Sequence, residues 1–136
     1  MSVPLNEAVV MVIEDEPLNA ILATKLLQIT GVEQIIICRS GAEARQRIPE
    51  IPRIDLILLD LRLPDEDGFM ILKTLRDLEP LKDAMIVAAT ANVMPDDVRA
   101  AQTAGFDGFL GKPFNFDRFS SQIARFLEGE HVWEPR

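Results

Sequence analysis

The 136-residue chain predicts a doubly wound α/β fold, a five-stranded parallel sheet of order 2-1-3-4-5 with helices on both faces. Three observations carry that expectation. Short β-rich apolar runs alternate with amphipathic stretches five times. Each run stops at a polar residue that opens a turn or a helix, and right-handed crossovers leave few arrangements of five such units. In the 2-1-3-4-5 order the ends of the first and third strands lie side by side at the topological switch point, where ligands bind.

The first run, Val9 to Glu14, ends in the acid pair Glu14-Asp15, and Pro17 suits the first turn of the helix that follows. Leu18, Ile21, Leu22, Leu26 and Ile29 recur at helical spacing and are expected to face the core. The second run, Ile35 to Cys38, leads into Ser40-Gly41-Ala42-Glu43, a capping box. The third, Asp55 to Asp60, ends in a carboxylate. It precedes a turn in which Gly68 permits a tight path and Asp65, Glu66 and Asp67 read as a solvated charge run.

The fourth run, Met85 to Ala89, is followed by Thr90, and Pro95-Asp96-Asp97 opens a fourth helix that Gly105 ends. That helix offers only Val98, Ala101 and Ala104 as a narrow small-residue face, so it is expected to be the most loosely held. The fifth run, Phe106 to Leu110, leads to Lys112-Pro113, where proline favours a cis peptide that would aim the lysine inward. Asn115 can cap the last helix, with Phe116, Phe119, Ile123 and Phe126 as its core face. The expected organisation is an extension over residues 1–7, one domain over 8–128 and a tail over 129–136. Trp133 in that tail is expected to cover the end of the last helix.

Composition narrows the function. With 14 Lys+Arg against 22 Asp+Glu the formal charge is -8, and no basic cluster offsets it, which disfavours direct nucleic-acid binding. The single cysteine, Cys38, lies in an apolar run and reads as a buried structural thiol, the usage of a reducing cytosol. Met1 to Glu7 lacks the features of a signal peptide, and no apolar run approaches the ~20 residues of a membrane span, so a cytoplasmic protein is expected. His131, the lone histidine, falls in the tail, away from every strand end.

Glu14, Asp15 and Asp60 then converge at the switch point, and three carboxylates in one crevice call for a cation. All-oxygen ligation with room for water suits Mg²⁺, whereas zinc would want His or Cys. With a metal present, one carboxylate can serve as a nucleophile in phosphoryl transfer. Asp60 is that residue, because Glu14 and Asp15 adjoin each other on another strand, as metal ligands would. The transferring group bears negative oxygens, for which the Lys112 ammonium and the Thr90 hydroxyl are partners, and Ala91 leaves it space.

Taken together, Glu14-Asp15-Glu16, Leu58 to Pro64 with Asp67-Gly68, Thr90-Ala91 and Phe109 to Phe114 resemble the receiver domain of bacterial two-component response regulators. The resemblance runs from about Val9 to Leu127 and implies a flavodoxin-like (βα)5 fold. It implies a stand-alone phosphoacceptor that receives its phosphoryl group from a histidine kinase or a histidine phosphotransfer protein. It implies the backbone carbonyl of Arg62 as a further metal ligand and Phe109, with Thr90, as the switch. Glu14 stands where the family often has Asp, and Arg62 is larger and more cationic than is usual there.

Without an output domain the signal is expected to leave by protein contact, to a downstream target or a homodimer, through the surface of the fourth helix, fifth strand and fifth helix. Phe109 is expected to turn inward as Thr90 is drawn to the phosphoryl group. Two alternatives remain open at this point: a receiver-like binding module that is never phosphorylated, and a metal-dependent aspartyl-phosphate phosphatase. The second wants an acid two residues after the nucleophile, where this chain has Arg62.

Overall fold

Five parallel strands pair in the expected order in the computed structural model, which describes residues 2–135. They are β1 (Val9–Ile13), β2 (Gln34–Cys38), β3 (Leu56–Asp60), β4 (Met85–Thr90) and β5 (Gly108–Gly111). The register is continuous: Ile13 lies opposite Cys38 on one side and Leu59 on the other, Asp60 opposite Ala89, and Thr90 opposite Gly111. Every C-terminal strand end therefore meets at one edge. The helices between them are α1 (Pro17–Thr30), α2 (Gly41–Arg47), α3 (Gly68–Arg76), α4 (Pro95–Ala104) and α5 (Phe119–Leu127).

Alternation along the strands splits the core in two. Val10, Val12, Leu56, Leu58, Val87 and Leu110 face α1 and α5, while Met11, Ile13, Ile57, Leu59, Ile86 and Phe109 face α2, α3 and α4. Side chains such as Leu27, Phe119 and Phe126 are almost wholly enclosed. Each contributes about 1.5–3 kcal/mol by leaving water, and this fixes both helix layers against the sheet.

Local signals behave largely as the residues dictate. The Ser40 hydroxyl accepts from the Glu43 N–H at 3.0 Å, and the Glu43 carboxylate reaches back to the Arg39 N–H rather than to Ser40. Pro95 stands at the start of α4, Gly105 ends it in the left-handed region at φ 101°, and the Lys112-Pro113 peptide is cis. Gly68 has an ordinary φ; a Cβ there would press on the Leu61 backbone at 2.9 Å, so close approach rather than turn geometry requires glycine.

Several expectations are corrected. On α1 the enclosed residues are Ala23, Leu26 and Leu27, while Leu18, Ile21, Leu22 and Ile29 are exposed. The helix has apolar residues on two faces; of the five expected to face the core, Leu26 does so and the other four do not. Phe116 precedes α5 and is 70% exposed, because Asn115 caps a separate turn and the helix begins only at Phe119. The acidic turn is structured. Arg62–Leu63 and Glu66–Asp67 form a short antiparallel ladder, Asp67 caps α3 through the Phe69 N–H, and Glu66 accepts from the Ala42 N–H. On α4 only Ala101 is fully enclosed and Ala104 is exposed, an even slighter face than expected.

The segment expected to be a tail joins the sheet. Trp133–Glu134 forms β6, parallel to β5, with Phe109 opposite Trp133 and Leu110 opposite Glu134. Trp133 covers the edge of β5 and not the end of α5. Met1 and Arg136, at the ends of the expected extension and tail, lie outside the described residues.

Candidate functional site

Strand ends assemble the site. Glu14 is the first residue past β1, and its N–H donates to the Cys38 carbonyl at 2.9 Å, which holds the turn against β2. Asp15 follows it. Asp60 closes β3 between β1 and β4, and its Oδ1 accepts from the Arg62 N–H at 2.9 Å, tying the carboxylate to the loop it opens. Leu61 donates to the Ala89 carbonyl, so that loop is anchored on β4 as well.

Carboxylate oxygens of Glu14, Asp15 and Asp60 lie within 4.8 Å of one another. Glu14 is 4% and Asp60 8% exposed, and Asp15 is half-buried on the open side. Lys112, just past β5, reaches across with its Nζ against Glu14 Oε1 and 3.3 Å from Asp60 Oδ2. Burial pushes the Glu14 carboxyl above the usual carboxylate range, against the pull of Lys112 and the Glu16 N–H. Three carboxylates and one ammonium leave two negative charges unmatched, and a divalent cation would balance them. The donor set is all oxygen, the half-buried Asp15 leaves the open side wet, and the residues therefore fit a hard ion such as Mg²⁺.

Thr90 ends β4 and is 2% exposed; its Oγ1 accepts from the Asn92 N–H at 3.1 Å, which turns the hydroxyl toward the loop before α4. The Lys112 N–H donates to the Thr90 carbonyl at 2.8 Å. Phe109 already points inward and is fully buried, with Trp133 in register beside it. Arg62 presents its N–H to Asp60 while its side chain is exposed. All residues singled out at the strand ends thus share one edge. His131 lies apart, its Nδ1 2.9 Å from the Asp107 carbonyl, and burial pushes the Cys38 thiol up, which suits an inert structural cysteine.

Sequence reasoning missed two features here. One is the apolar row on α1 that borders the site, with Leu18 74% and Ile21 54% exposed. The other is the covering of Phe109 by Trp133, which an isolated tryptophan close to a chain end in Glu-Pro-Arg gives little means to detect.

The family model of the response regulator receiver domain matches residues 10–124. The polar-differentiation response regulator DivK of Brucella ovis is 36% identical over 118 residues, which span 87% of this chain and 94% of that protein. Among solved structures, the chemotaxis response regulator CheY4 of Vibrio cholerae superposes with a TM-score of 0.77 at 25% identity, over 87% of this chain and 97% of that one. A CheY-like receiver domain from Methylobacillus flagellatus gives 0.77 at 26% identity, over 89% and 98%.

Proposed function

We propose, from the premise that this chain belongs to the response regulator receiver domain family, that Asp60 accepts the phosphoryl group from a histidine kinase or a histidine phosphotransfer protein. The observation that carries this reading is the convergence of Lys112 and two further carboxylates, Glu14 and Asp15, around one buried aspartate at the switch-point edge. An Asp60 oxygen attacks phosphorus; the P–N bond to the donor imidazole breaks as the new P–O bond forms, and the imidazole leaves. Mg²⁺ held by Glu14, Asp15, Asp60 and the Arg62 carbonyl would offset charge on the group in transit. Lys112 holds an ammonium beside the reacting carboxylate, and Thr90 supplies a hydroxyl from the neighbouring strand. The protein's own chemistry ends there: it catalyses at most its own phosphorylation and dephosphorylation.

A protein donor needs a landing surface. The exposed row Leu18, Ile21, Leu22 and Ile29 on α1, with Phe116 before α5, supports docking of an apolar helical face next to Asp60. A groove of about 500 Å³ beside that row, lined by Glu14, Pro17, Ile21, Ile37 and Arg39, leads toward the acid pair. The site's output is a conformational signal passed by protein contact, with Thr90 and Phe109 as its internal relay.

The test is intact-mass and peptide analysis after exposure to acetyl phosphate with and without Mg²⁺. One adduct at Asp60, dependent on the metal and absent from Asp60→Asn, is expected. An adduct that persists in Asp60→Asn overturns the assignment, and continuous phosphate release at enzymic rates makes the chain a phosphatase.

A further inference from the structure

The outer edge of β5 is built to receive a strand, and the chain's own end lies in it. The Phe109 N–H donates to the Val132 carbonyl at 2.9 Å. Gly111 makes room, since a Cβ there would run into the Pro135 carbonyl; a Cβ on Gly108 would meet the Phe126 ring of α5 first, and then the Val132 carbonyl oxygen at 2.6 Å. Above this backbone track, Trp133 packs on the same core layer as Phe109, while Glu134 turns to the α5 side. There its carboxylate accepts from Gln122 Nε2 and Arg125 Nη1, each at 2.9 Å, and from Arg118 Nη2.

That hold is specific yet short. The ladder is two residues long, Trp133 stays partly exposed, and a brief connection with Gly129 at φ 90° joins it to α5. Strands this short are marginal by themselves, so the segment stays down largely because it is tethered. A tether of this kind presents the strand to its seat at an effective concentration of the order of millimolar, which excludes weak competitors until the hold is loosened.

We infer that the β5 edge, with Arg118, Gln122 and Arg125 alongside, is a docking seat for an extended segment of a partner protein that carries an aromatic residue followed by a carboxylate, and that residues 132–135 occupy this seat in cis. Gly111 and the Phe109 N–H bond to Val132 fix the backbone mode, strand addition. The core beside Phe109 takes the aromatic, and the two guanidinium groups with the Gln122 amide select the acid. The partner enters by displacing a copy of its own pattern.

The seat also touches the phosphoacceptor site, and this link rests on the function proposed above. Pro135 lies on Gly111, the residue before Lys112, and the Lys112 N–H is bonded to Thr90. A change at Asp60 that moves Lys112 or Thr90 therefore acts on the end of the strap. Reciprocity follows from linkage: whatever factor phosphorylation adds to the partner's affinity, the partner adds to the stability of the phosphorylated state.

Trp133 is the only tryptophan, so acrylamide quenching of the full-length chain reads strap release directly. The probe is a fluorescein-labelled peptide of residues 129–135 with phenylalanine in place of tryptophan. In Glu134→Lys, and more weakly in Glu134→Gln, Trp133 should become more quenchable and the peptide should bind about tenfold tighter than to the parent chain. Treatment with acetyl phosphate and Mg²⁺ should move both readouts the same way, with the adduct checked by mass. Unchanged quenching in both variants overturns the inference, as does exposed Trp133 with no gain in peptide binding. Dimers in place of peptide binding would assign the seat to a second copy's strap and equally overturn it. An Asp60 adduct with an unmoved Trp133 removes the link to the site. Failure to form any adduct instead sinks the phosphoacceptor reading, and the seat then stands or falls on the Glu134 variants.

Discussion

Lys112 donates its backbone N–H to the Thr90 carbonyl at 2.8 Å, so the residues that carry the site's ammonium and its hydroxyl are joined across two neighbouring strands. That bond couples their backbones. The two side chains nevertheless act differently, since Lys112 Nζ lies 3.3 Å from Asp60 Oδ2, whereas the Thr90 hydroxyl is engaged with the Asn92 N–H. Lys112→Ala should slow adduct formation by about 100-fold, the scale of a lost electrostatic contact to a transferring group. Thr90→Ala should leave the adduct but blunt the accompanying change in Trp133 quenching. Mass spectrometry and fluorescence on the same samples separate the two.

Asp15 is the half-buried member of the carboxylate cluster and faces the open side. Asp15→Asn removes one charge from the three without removing an enclosed group. Mg²⁺ affinity, read by calorimetry, should fall at least about tenfold, or about 1.4 kcal/mol, with little change in melting temperature. Equal affinity in the variant would take Asp15 out of the site.

Acid should weaken the metal site sooner than an ordinary carboxylate would allow. Burial raises the Glu14 carboxyl above its usual value, so in the folded protein it takes up a proton at a pH where an unfolded glutamate is still ionised. The sign for stability follows. Without metal, the ionised buried Glu14 costs stability above its folded pKa, and protonation relieves that cost as pH falls toward the unfolded value. Metal binding requires the ionised form and runs the other way. Titrating Mg²⁺ affinity downward from neutral pH should show the loss beginning above the usual glutamate range, and Glu14→Gln should flatten it.

The row on α1 yields a contrast between stability and transfer. Leu18→Glu and Ile21→Glu alter residues that are 74% and 54% exposed, so each should change stability by no more than about 0.5 kcal/mol. Leu27→Ala, further along the same helix but enclosed, should cost about 2–5 kcal/mol. The two surface variants should slow phosphoryl transfer from a protein donor while leaving the reaction with acetyl phosphate unchanged. Equal slowing with both donors would remove α1 from the docking surface.

The strand ends were legible because chemistry and topology coincide there: an apolar run long enough for one strand, closed by a carboxylate or hydroxyl, names both the element and the residue that emerges from it. Asp60 and Thr90 could be placed without knowing a single contact. The faces of α1 were harder, since the helix carries apolar residues at Leu18, Ile21, Leu22 and Ile29 as well as at Ala23, Leu26 and Leu27. A period of 3.6 fits either set, and only packing against Phe119 and Ile123 of α5 decides between them. The role of Glu66 was hidden because its partners, Ala42 and Arg45, are distant in sequence. The same holds for β6, whose two residues carry no period and whose glycine track lies well upstream on β5.

Since β6 runs parallel to β5, the chain leaves the sheet at the edge that holds Asp60, whereas Val3 is tied at 2.9 Å to the Leu127 carbonyl at the far end of α5. Val3 and Pro135 thus offer different places for a label. A dye or affinity handle attached at Val3 sits at the opposite edge, a strand's length from the one that holds the reacting aspartate. The same cargo attached at Pro135 stands on the edge that holds Asp60, three strands away, and pulls on the strand that screens Phe109. Signalling measured with a label at Pro135 would then report on a molecule already partway unlatched.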